Sequence, residues 1–186
     1  MKSRSEVRAR RRSGPSYDGR KYVPERRFNP FIQNLTGARV LSALQLPWYT
    51  VMPPKGTGVL TTKGRKTGKL QRKCVRVIEK GNRAYLVAIG GENVAWLKNV
   101  LVNPKVLLRT RGGTFAGLAR EPRDDAEREE ARQAFVDTVM PWDYAECNFH
   151  RPGRPTQEKI RELHGTWFEG GVPVVIDLEA RRPGRR

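Results

Sequence analysis

The sequence predicts a small, mainly β domain (α+β) with peripheral helices, in which six antiparallel strands close into a barrel. Short runs of β-branched and aliphatic residues alternate with glycine-containing turns, which is the pattern of short strands joined by hairpins. Hairpin connections favour an antiparallel sheet. Six short strands that bury one face usually form a closed barrel, because closure removes the exposed sheet edges.

Turns and loops mark the limits of these strands. A glycine-flanked loop at 64–68 precedes the second strand, a turn at 79–83 leads into the third, and Gly112-Gly113 joins the fourth to the fifth. The predicted strands span residues 59–62, 70–78, 84–89, 106–110, 114–119 and 172–178.

Two short helices are predicted before the fourth strand. One lies over 95–102 and is closed by Asn103-Pro104, since proline cannot continue a helix. The other, within 30–46, is amphipathic and precedes the barrel.

Two further helices are predicted after the fifth strand. Asp124-Asp125 begins the first, with acidic residues favourably placed in its first turn, and Pro141 ends it. Residues 142–155 are expected to be irregular. Thr156 is expected to cap the second helix, and Gly165 is expected to end it.

Basic residues are concentrated at the two ends of the chain. The 186 residues carry a formal net charge of +18. Residues 1–27 hold ten basic and three acidic side chains, and residues 181–186 hold four arginines and no acid. We therefore expect basic disordered tails around one domain at 28–180. The tails either solubilise the protein or bind an anionic membrane surface or nucleic acid.

Cysteine and histidine usage argues against a disulfide framework and against a metal site. Cys74 and Cys147 stand far apart, and His150 and His164 lack metal-ligand spacing. We expect no metal, and we expect both histidines at the surface or at helix ends. No apolar run reaches the roughly 18 residues of a membrane span. A cytoplasmic protein is expected, peripheral to the inner face of the membrane if the basic tail binds lipid.

The strongest chemical signal is the loop that contains Gly64-Arg65-Lys66-Thr67-Gly68. Its glycines allow a tight turn and close approach to a ligand, and successive N–H groups in such a turn can form a nest for an anion. Arg65 suits bidentate binding of a phosphate, Lys66 adds a point charge, and Thr67 adds a hydroxyl donor. The glycine spacing excludes a Walker A loop. These residues alone leave a phosphate site and an ordinary basic turn as alternatives.

A second stretch lies where a strand gives way to a loop and a helix. Gly90-Gly91 in this stretch allows a flat ring or a phosphate to approach closely. On the following helix, Trp96 is expected to fill the core. Asn99 is a polar amide on an otherwise apolar helix, and such a residue often holds a neighbouring loop in place.

Together, the two stretches resemble the deazaflavin-dependent nitroreductase and quinone reductase family. The resemblance rests on Leu-Thr-Thr-x-Gly-Arg-Lys-Thr-Gly at 60–68, Ala-x-Gly-Gly at 88–91 and Trp-x-x-Asn-x-x-x-Asn-Pro at 96–104. It implies a split β-barrel of the flavin-mononucleotide-binding type. It also implies the deazaflavin coenzyme F420 and hydride transfer to a quinone, a nitroaromatic or another planar unsaturated acceptor. The similarity is specific over 59–106 and looser beyond.

The resemblance also implies roles for single residues. The phosphate and acidic tail of the coenzyme would be held in the basic loop, and the deazaflavin would lie along the backbone of the glycine pair. The implied coenzyme-binding residues are Thr62, Gly64, Arg65, Lys66, Thr67, Ala88, Ile89, Gly90, Gly91, Trp96 and Asn99. Ile89 stands where the family often has serine, so a hydroxyl contact to the ring is absent here.

Aromatic residues on either side of the barrel are candidates for contact with the acceptor. Trp142 and Tyr144 are the candidate catalytic residues, and Tyr144 could donate a proton. Trp48, Tyr49 and Phe149 are further candidates for holding a planar acceptor. The alternative is that these aromatic side chains only cover the open end of the barrel.

Two other functions are compatible with the sequence. The same barrel could bind flavin mononucleotide instead of F420, or a basic barrel without catalysis could associate with nucleic acid. Nucleic acid is the weaker alternative, because the chain has no paired RNA-binding aromatics and no zinc knuckle. The sequence leaves a monomer and a homodimer as alternatives.

Overall fold

The computed structural model describes Pro47 and residues 51–151 and 153–179. The strands in this part are β1 (Thr57–Lys63), β2 (Leu70–Arg76), β3 (Ile78–Lys80), β4 (Arg83–Ala88), β5 (Lys105–Thr110), β6 (Gly113–Arg120) and β7 (Val172–Leu178). The α-helices in it are α1 (Ala95–Val102), α2 (Asp125–Asp137), α3 (Pro141–His150) and α4 (Gln157–Gly170), and Gly91–Asn93 forms a 3-10 turn. The basic tails, the helix expected within 30–46, and Trp48 and Tyr49 lie outside the described residues.

The two edges of the curled sheet are joined through the chain at Val77. Its strands pair antiparallel in the order β2-β1-β5-β6-β7-β4-β3. The two edge strands, β2 and β3, are consecutive in the chain and are separated only by Val77. This residue is buried in the barrel interior, and its N–H donates to the carbonyl oxygen of Gly56 at 3.0 Å. The sheet is thus curled into a half-barrel, as expected for a split barrel, and its edges β2 and β3 are linked along the chain.

The described sheet has seven strands, one more than the six predicted. The difference arises at 70–78, which the sequence predicts as one strand. Val77 turns the chain from pairing with β1 to pairing with β4, so this stretch forms two strands. The other five strands agree with the prediction to within two residues at each end.

Two apolar clusters lie on opposite faces of β4 and β7. The inner cluster fills the barrel and includes Trp96, which occupies the core position expected for it. The outer cluster lies between these strands and the helices α2, α3 and α4. Because both faces are covered, β4 and β7 are nearly continuous apolar runs, whereas buried and exposed residues alternate over most of β5. No helix in the described residues is long and apolar enough to cross a bilayer.

The expectation of irregular structure over 142–155 was wrong, because α3 begins at Pro141 and ends at His150. Proline suits the first turn of a helix, where its missing N–H has no intrahelical partner. The Oδ2 atom of Asp143 accepts a hydrogen bond from the N–H of Met140 at 2.7 Å, which stabilises the start of this helix.

The predicted end of the last helix at Gly165 was also wrong, since α4 continues to Gly170. Trp167 and Phe168, beyond Gly165, are almost completely buried in the outer cluster. Their burial outweighs the cost of one glycine in a helix, which is about 1 kcal/mol. His164 is 1% exposed on the same face, so its expected surface position was wrong. The predicted cap is present, because the Oγ1 atom of Thr156 accepts from the N–H of Lys159.

Candidate functional site

The loop between β1 and β2, residues 64–69, forms a closed turn that we call the basic turn. The N–H of Gly64 donates to the Lys69 carbonyl oxygen, and the N–H of Gly68 donates to the Gly64 carbonyl oxygen, both at 2.8 Å. Gly68 has a φ of 69°, in the left-handed region that favours glycine. A Cβ atom on the buried Gly64 would lie 3.0 Å from the carbonyl oxygen of Lys69. The two glycines therefore determine the shape of the turn.

Asn99 holds the basic turn against α1. Its Oδ1 atom accepts hydrogen bonds from the N–H and from Nη1 of Arg65, each at 3.2 Å. Its Nδ2 atom donates to the Oγ1 atom of Thr62 at 3.2 Å. Both Asn99 and Thr62 are buried. The loop contact expected of this amide is thus present, and one side chain joins α1, β1 and the turn.

Side chains are more available to a ligand at the basic turn than backbone amides are. The N–H groups of Gly64, Arg65, Gly68 and Lys69 donate to other protein atoms. Most of the expected nest of amides is therefore occupied. Within the turn, the N–H groups of Lys66 and Thr67 have no partner among the described residues. The side chains of residues 65–67 are exposed, and the Arg65 guanidinium keeps donors beyond the one that binds Asn99.

The chain segments around the basic turn lack acidic residues. Residues 51–78 and 93–120, which form β1, β2, α1, β5 and β6, contain no Asp or Glu. Lys63, Lys69 and Arg72 are exposed cations near the turn. These segments therefore contribute no negative charge that would reduce the positive potential at this surface.

The Gly90-Gly91 stretch lies just before α1. Gly91 has a φ of 68°, and a Cβ atom on it would meet no other atom within 4 Å, so its Cα faces open space. A Cβ atom on Gly90 would lie 2.9 Å from the side chain of Val94. Ala88 is buried in the barrel, and Ile89 packs against the outer cluster.

Helix α1 brings the two predicted stretches into one region. Its first residue, Ala95, lies four positions after Gly91, and Asn99 follows about one turn, or roughly 6 Å, further along the helix axis. Trp96 fixes this helix in the barrel core. The residues expected from separate parts of the sequence are thus positioned by the same short helix.

The two candidate catalytic residues lie on α3, at a different part of the barrel. Trp142 is 41% exposed. Tyr144 is half-buried and packs against the outer cluster, as Ile89 does. The side chain of Phe149 lies outside the described part of the chain. β2 runs about 20 Å from the basic turn to Arg76, which contacts α3.

A buried charged cluster beside α3 was not predicted. The Nη1 atom of Arg76 donates to Oδ1 of Asp143, and Nη2 donates to the carbonyl oxygen of Thr138 at 2.6 Å. The Arg76 and Asp143 side chains are 8% and 2% exposed. His164 Nε2 lies 3.8 Å from Oδ2 of Asp143. No signal indicated this cluster, because its carboxylate comes from a helix that the sequence pattern did not reveal.

Burial changes the titration of the cluster. Desolvation raises the pKa of Glu146 to about 7, against the opposing attraction of Arg76. Desolvation also lowers the pKa of His164 to about 3, and the charge of Arg76 lowers it further. The imidazole is therefore neutral at pH 7, and Arg76 is the cation that Asp143 and Glu146 share.

Several solved structures are similar to this chain. The structure of an F420-H2 dependent reductase (FDR-A) matches at 22% identity, covers 69% of this chain and 97% of that chain, and gives a TM-score of 0.45. A domain-swapped dimer matches at 21% identity over 76% of this chain and 92% of that chain, with a TM-score of 0.46. A putative pyridoxamine 5'-phosphate oxidase from Listeria innocua matches at 16% identity over 74% and 94%, with a TM-score of 0.40.

The model of the F420H(2)-dependent quinone reductase family matches residues 45–149, which is more than half of the chain. The matched region contains the basic turn, the Gly90-Gly91 stretch, α1 and most of α3. The match confirms the resemblance, together with the oxidoreductase class and the F420 coenzyme that the resemblance implies. The chain therefore belongs to the F420H(2)-dependent quinone reductase family.

Proposed function

We propose that this oxidoreductase transfers a hydride from reduced F420 to a quinone, a nitroaromatic or another planar acceptor. In this proposal the coenzyme tail lies at the basic turn and the ring lies along Gly90-Gly91. This placement of the coenzyme rests on the three hydrogen bonds of Asn99, because they attach the basic turn to α1, the helix that begins just after the glycine pair.

The residues of the basic turn fit the tail of this coenzyme, which carries a phosphodiester and a chain of glutamates. Two exposed cations, Arg65 and Lys66, stand beside the two open amides. The absence of acidic residues from 51–78 removes a source of repulsion. Each hydrogen bond between a charged pair contributes roughly 1.5–3 kcal/mol.

The Gly90-Gly91 stretch fits a flat ring. No side chain projects from either glycine, and the Cα of Gly91 faces open space. Ile89 packs on the outer cluster that also contacts Tyr144. In this proposal, the acceptor lies between a ring along this backbone and the aromatic residues of α3.

Bound F420 supplies the hydride from its ring carbon. The protein's contribution is to hold donor and acceptor within roughly 3–3.5 Å of each other and to exclude other orientations. In this account, the exposed ring of Trp142 stacks on the planar acceptor. The hydroxyl of Tyr144 donates a hydrogen bond, or a proton, to the acceptor oxygen as it becomes reduced.

A titration with oxidised F420, followed by coenzyme fluorescence, tests the binding site. We expect Arg65→Ala and Lys66→Ala each to weaken binding about 10- to 100-fold, the loss of one charged hydrogen bond. Arg111→Ala is the matched control, since it removes an exposed cation from the turn between β5 and β6. Equal affinities in all four proteins would overturn the assignment. Tighter binding of flavin mononucleotide than of F420 would favour the alternative cofactor.

A further inference from the structure

We propose that Arg76 is a positioning residue for the acceptor side of the reaction, because it fastens α3 to the point where the sheet edges are joined. It acts through Asp143, which stands between Trp142 and Tyr144 in the chain. The inference rests on the proposed function, since it takes these two aromatic residues as the acceptor contacts.

Arg76 lies where the two edges of the sheet are joined. It is the last residue of β2, and the next residue, Val77, joins the two sheet edges. Backbone movement at Arg76 is restricted on one side by pairing with Thr57 and on the other by the buried Val77. The backbone from which the guanidinium group extends is therefore held in place.

Three contacts hold the guanidinium in one orientation. It donates to Asp143 Oδ1 and to the Thr138 carbonyl oxygen, and its Cζ atom lies 5.2 Å from the centroid of the Phe135 ring. These partners belong to the end of α2, the link to α3 and the first turn of α3. Arg76 thus fixes both the direction in which the chain leaves α2 and the start of α3.

The second carboxylate oxygen of Asp143 stabilises the start of α3, the helix to which Asp143 belongs. Oδ2 accepts from the N–H of Met140 at 2.7 Å while Oδ1 accepts from Arg76. A change in the ion pair is therefore transmitted directly to the first turn of α3, which carries Trp142 and Tyr144. Nε2 of His164 lies 3.8 Å from Oδ2 of Asp143, and burial together with the charge of Arg76 lowers the pKa of this imidazole.

Stability alone does not account for this arrangement. Two charges buried together gain little over a well-packed apolar pair, but their directional hydrogen bonds specify one geometry. The Nε atom of Arg76 is buried and has no hydrogen-bond partner among the described residues. The two hydrogen bonds that the guanidinium makes are therefore its contribution to the position of α3.

The test compares Arg76→Met with Arg120→Met. Arg120 is the matched control, because its guanidinium also donates to carboxylates, those of Glu127 and Asp177, and none of the contacts described for it is with α3. We expect Arg76→Met to bind F420 within about twofold of wild type while its KM for menadione rises about tenfold. Arg120→Met should lower the melting temperature and leave this KM unchanged. Arg76→Lys should restore part of the loss.

Hydrogen–deuterium exchange gives a readout that does not depend on activity. Arg76→Met should accelerate exchange over 141–150 and leave 57–69 unchanged, whereas Arg120→Met should accelerate exchange in α2. If Arg76→Met does not fold, Asp143→Asn replaces it in both measurements, with the same expected results. An unchanged KM in a folded variant, or an equal rise of KM in Arg120→Met, would overturn the proposal. Wild-type protein that binds F420 but reduces no acceptor would overturn the proposed function instead.

Discussion

The Oδ1 atom of Asn99 accepts hydrogen bonds from both the main-chain N–H and the guanidinium of Arg65, each at 3.2 Å. A single buried amide thus orients the backbone of the basic turn together with its first cation. The Nδ2 atom of the same residue binds Thr62 at the end of β1. The turn is therefore already in place before a ligand arrives, which lowers the entropic cost of binding.

Replacement of Asn99 by leucine should weaken F420 binding about tenfold. The substitution leaves the hydroxyl of Thr62 and the N–H of Arg65 without their partner, and we expect an accompanying loss of about 1–3 kcal/mol of stability. Val100→Ala is the control, since it removes a buried apolar group from the next position of α1 without touching the turn. The interpretation fails if both variants lose coenzyme affinity to the same extent at equal stability.

Two glycines with similar φ angles allow the effect of backbone strain on stability to be distinguished from an effect on F420 binding. Gly68 in the basic turn and Gly81 in the turn between β3 and β4 have φ of 69° and 62°. Alanine at either position should destabilise the fold by roughly 1 kcal/mol, because both angles are in the left-handed region. Only Gly68→Ala should also reduce F420 affinity. Comparable affinity in the two variants, measured by the same titration, would count against the basic turn as the coenzyme site.

The sequence predicted the barrel well because its strands carry local signals. Glycine turns bound most of them, and the double burial of β4 and β7 appears as continuous apolar runs. The seventh strand was missed because no glycine, proline or other turn residue stands at Val77, where β2 gives way to β3. It is determined by the pairing of β3 with β4, which local sequence does not show.

Some contacts of the candidate site could also be predicted from the sequence, and others could not. The contact between Asn99 and the basic turn was expected, since a polar residue on an apolar helix needs a partner when buried. The Arg76–Asp143 pair was not expected, because its partners are 67 residues apart in the sequence. Pro141, just before Asp143, was interpreted only as the end of a helix. Long-range charge pairs of this kind depend on tertiary packing and leave no periodic signal. The coenzyme-binding and catalytic roles of the individual residues stay predictions until they are measured.

The raised pKa of Glu146 predicts a specific dependence of stability on pH. Its folded pKa of about 7 lies above the ordinary value of 4.5, so the folded state binds this proton more tightly than the unfolded state. The stability from this group is present below pH 4.5 and is lost as the pH rises through 7. Glu146→Gln should therefore melt at a higher temperature than wild type at pH 8 and at a similar temperature near pH 4.5.

The control for this prediction is Glu162→Gln, an exposed glutamate on α4. It should leave the difference between the melting temperatures at pH 4.5 and pH 8 unchanged. His164 acts in the opposite direction, since stability from its lowered pKa is lost as the pH falls from 6.5 toward about 3. A pH profile of Glu146→Gln that parallels wild type above pH 5 would refute the assignment.

The most direct test of the account compares intact F420 with its ring fragment, which lacks the phosphate and the glutamates. Both are titrated into wild type and into the double variant Arg65→Ala/Lys66→Ala. If the basic turn binds the coenzyme tail, the double variant should lose at least tenfold in affinity for F420 and less than twofold for the fragment. Equal losses for the two ligands, or no loss for either, would contradict the central claim that the turn between β1 and β2 holds the anionic tail.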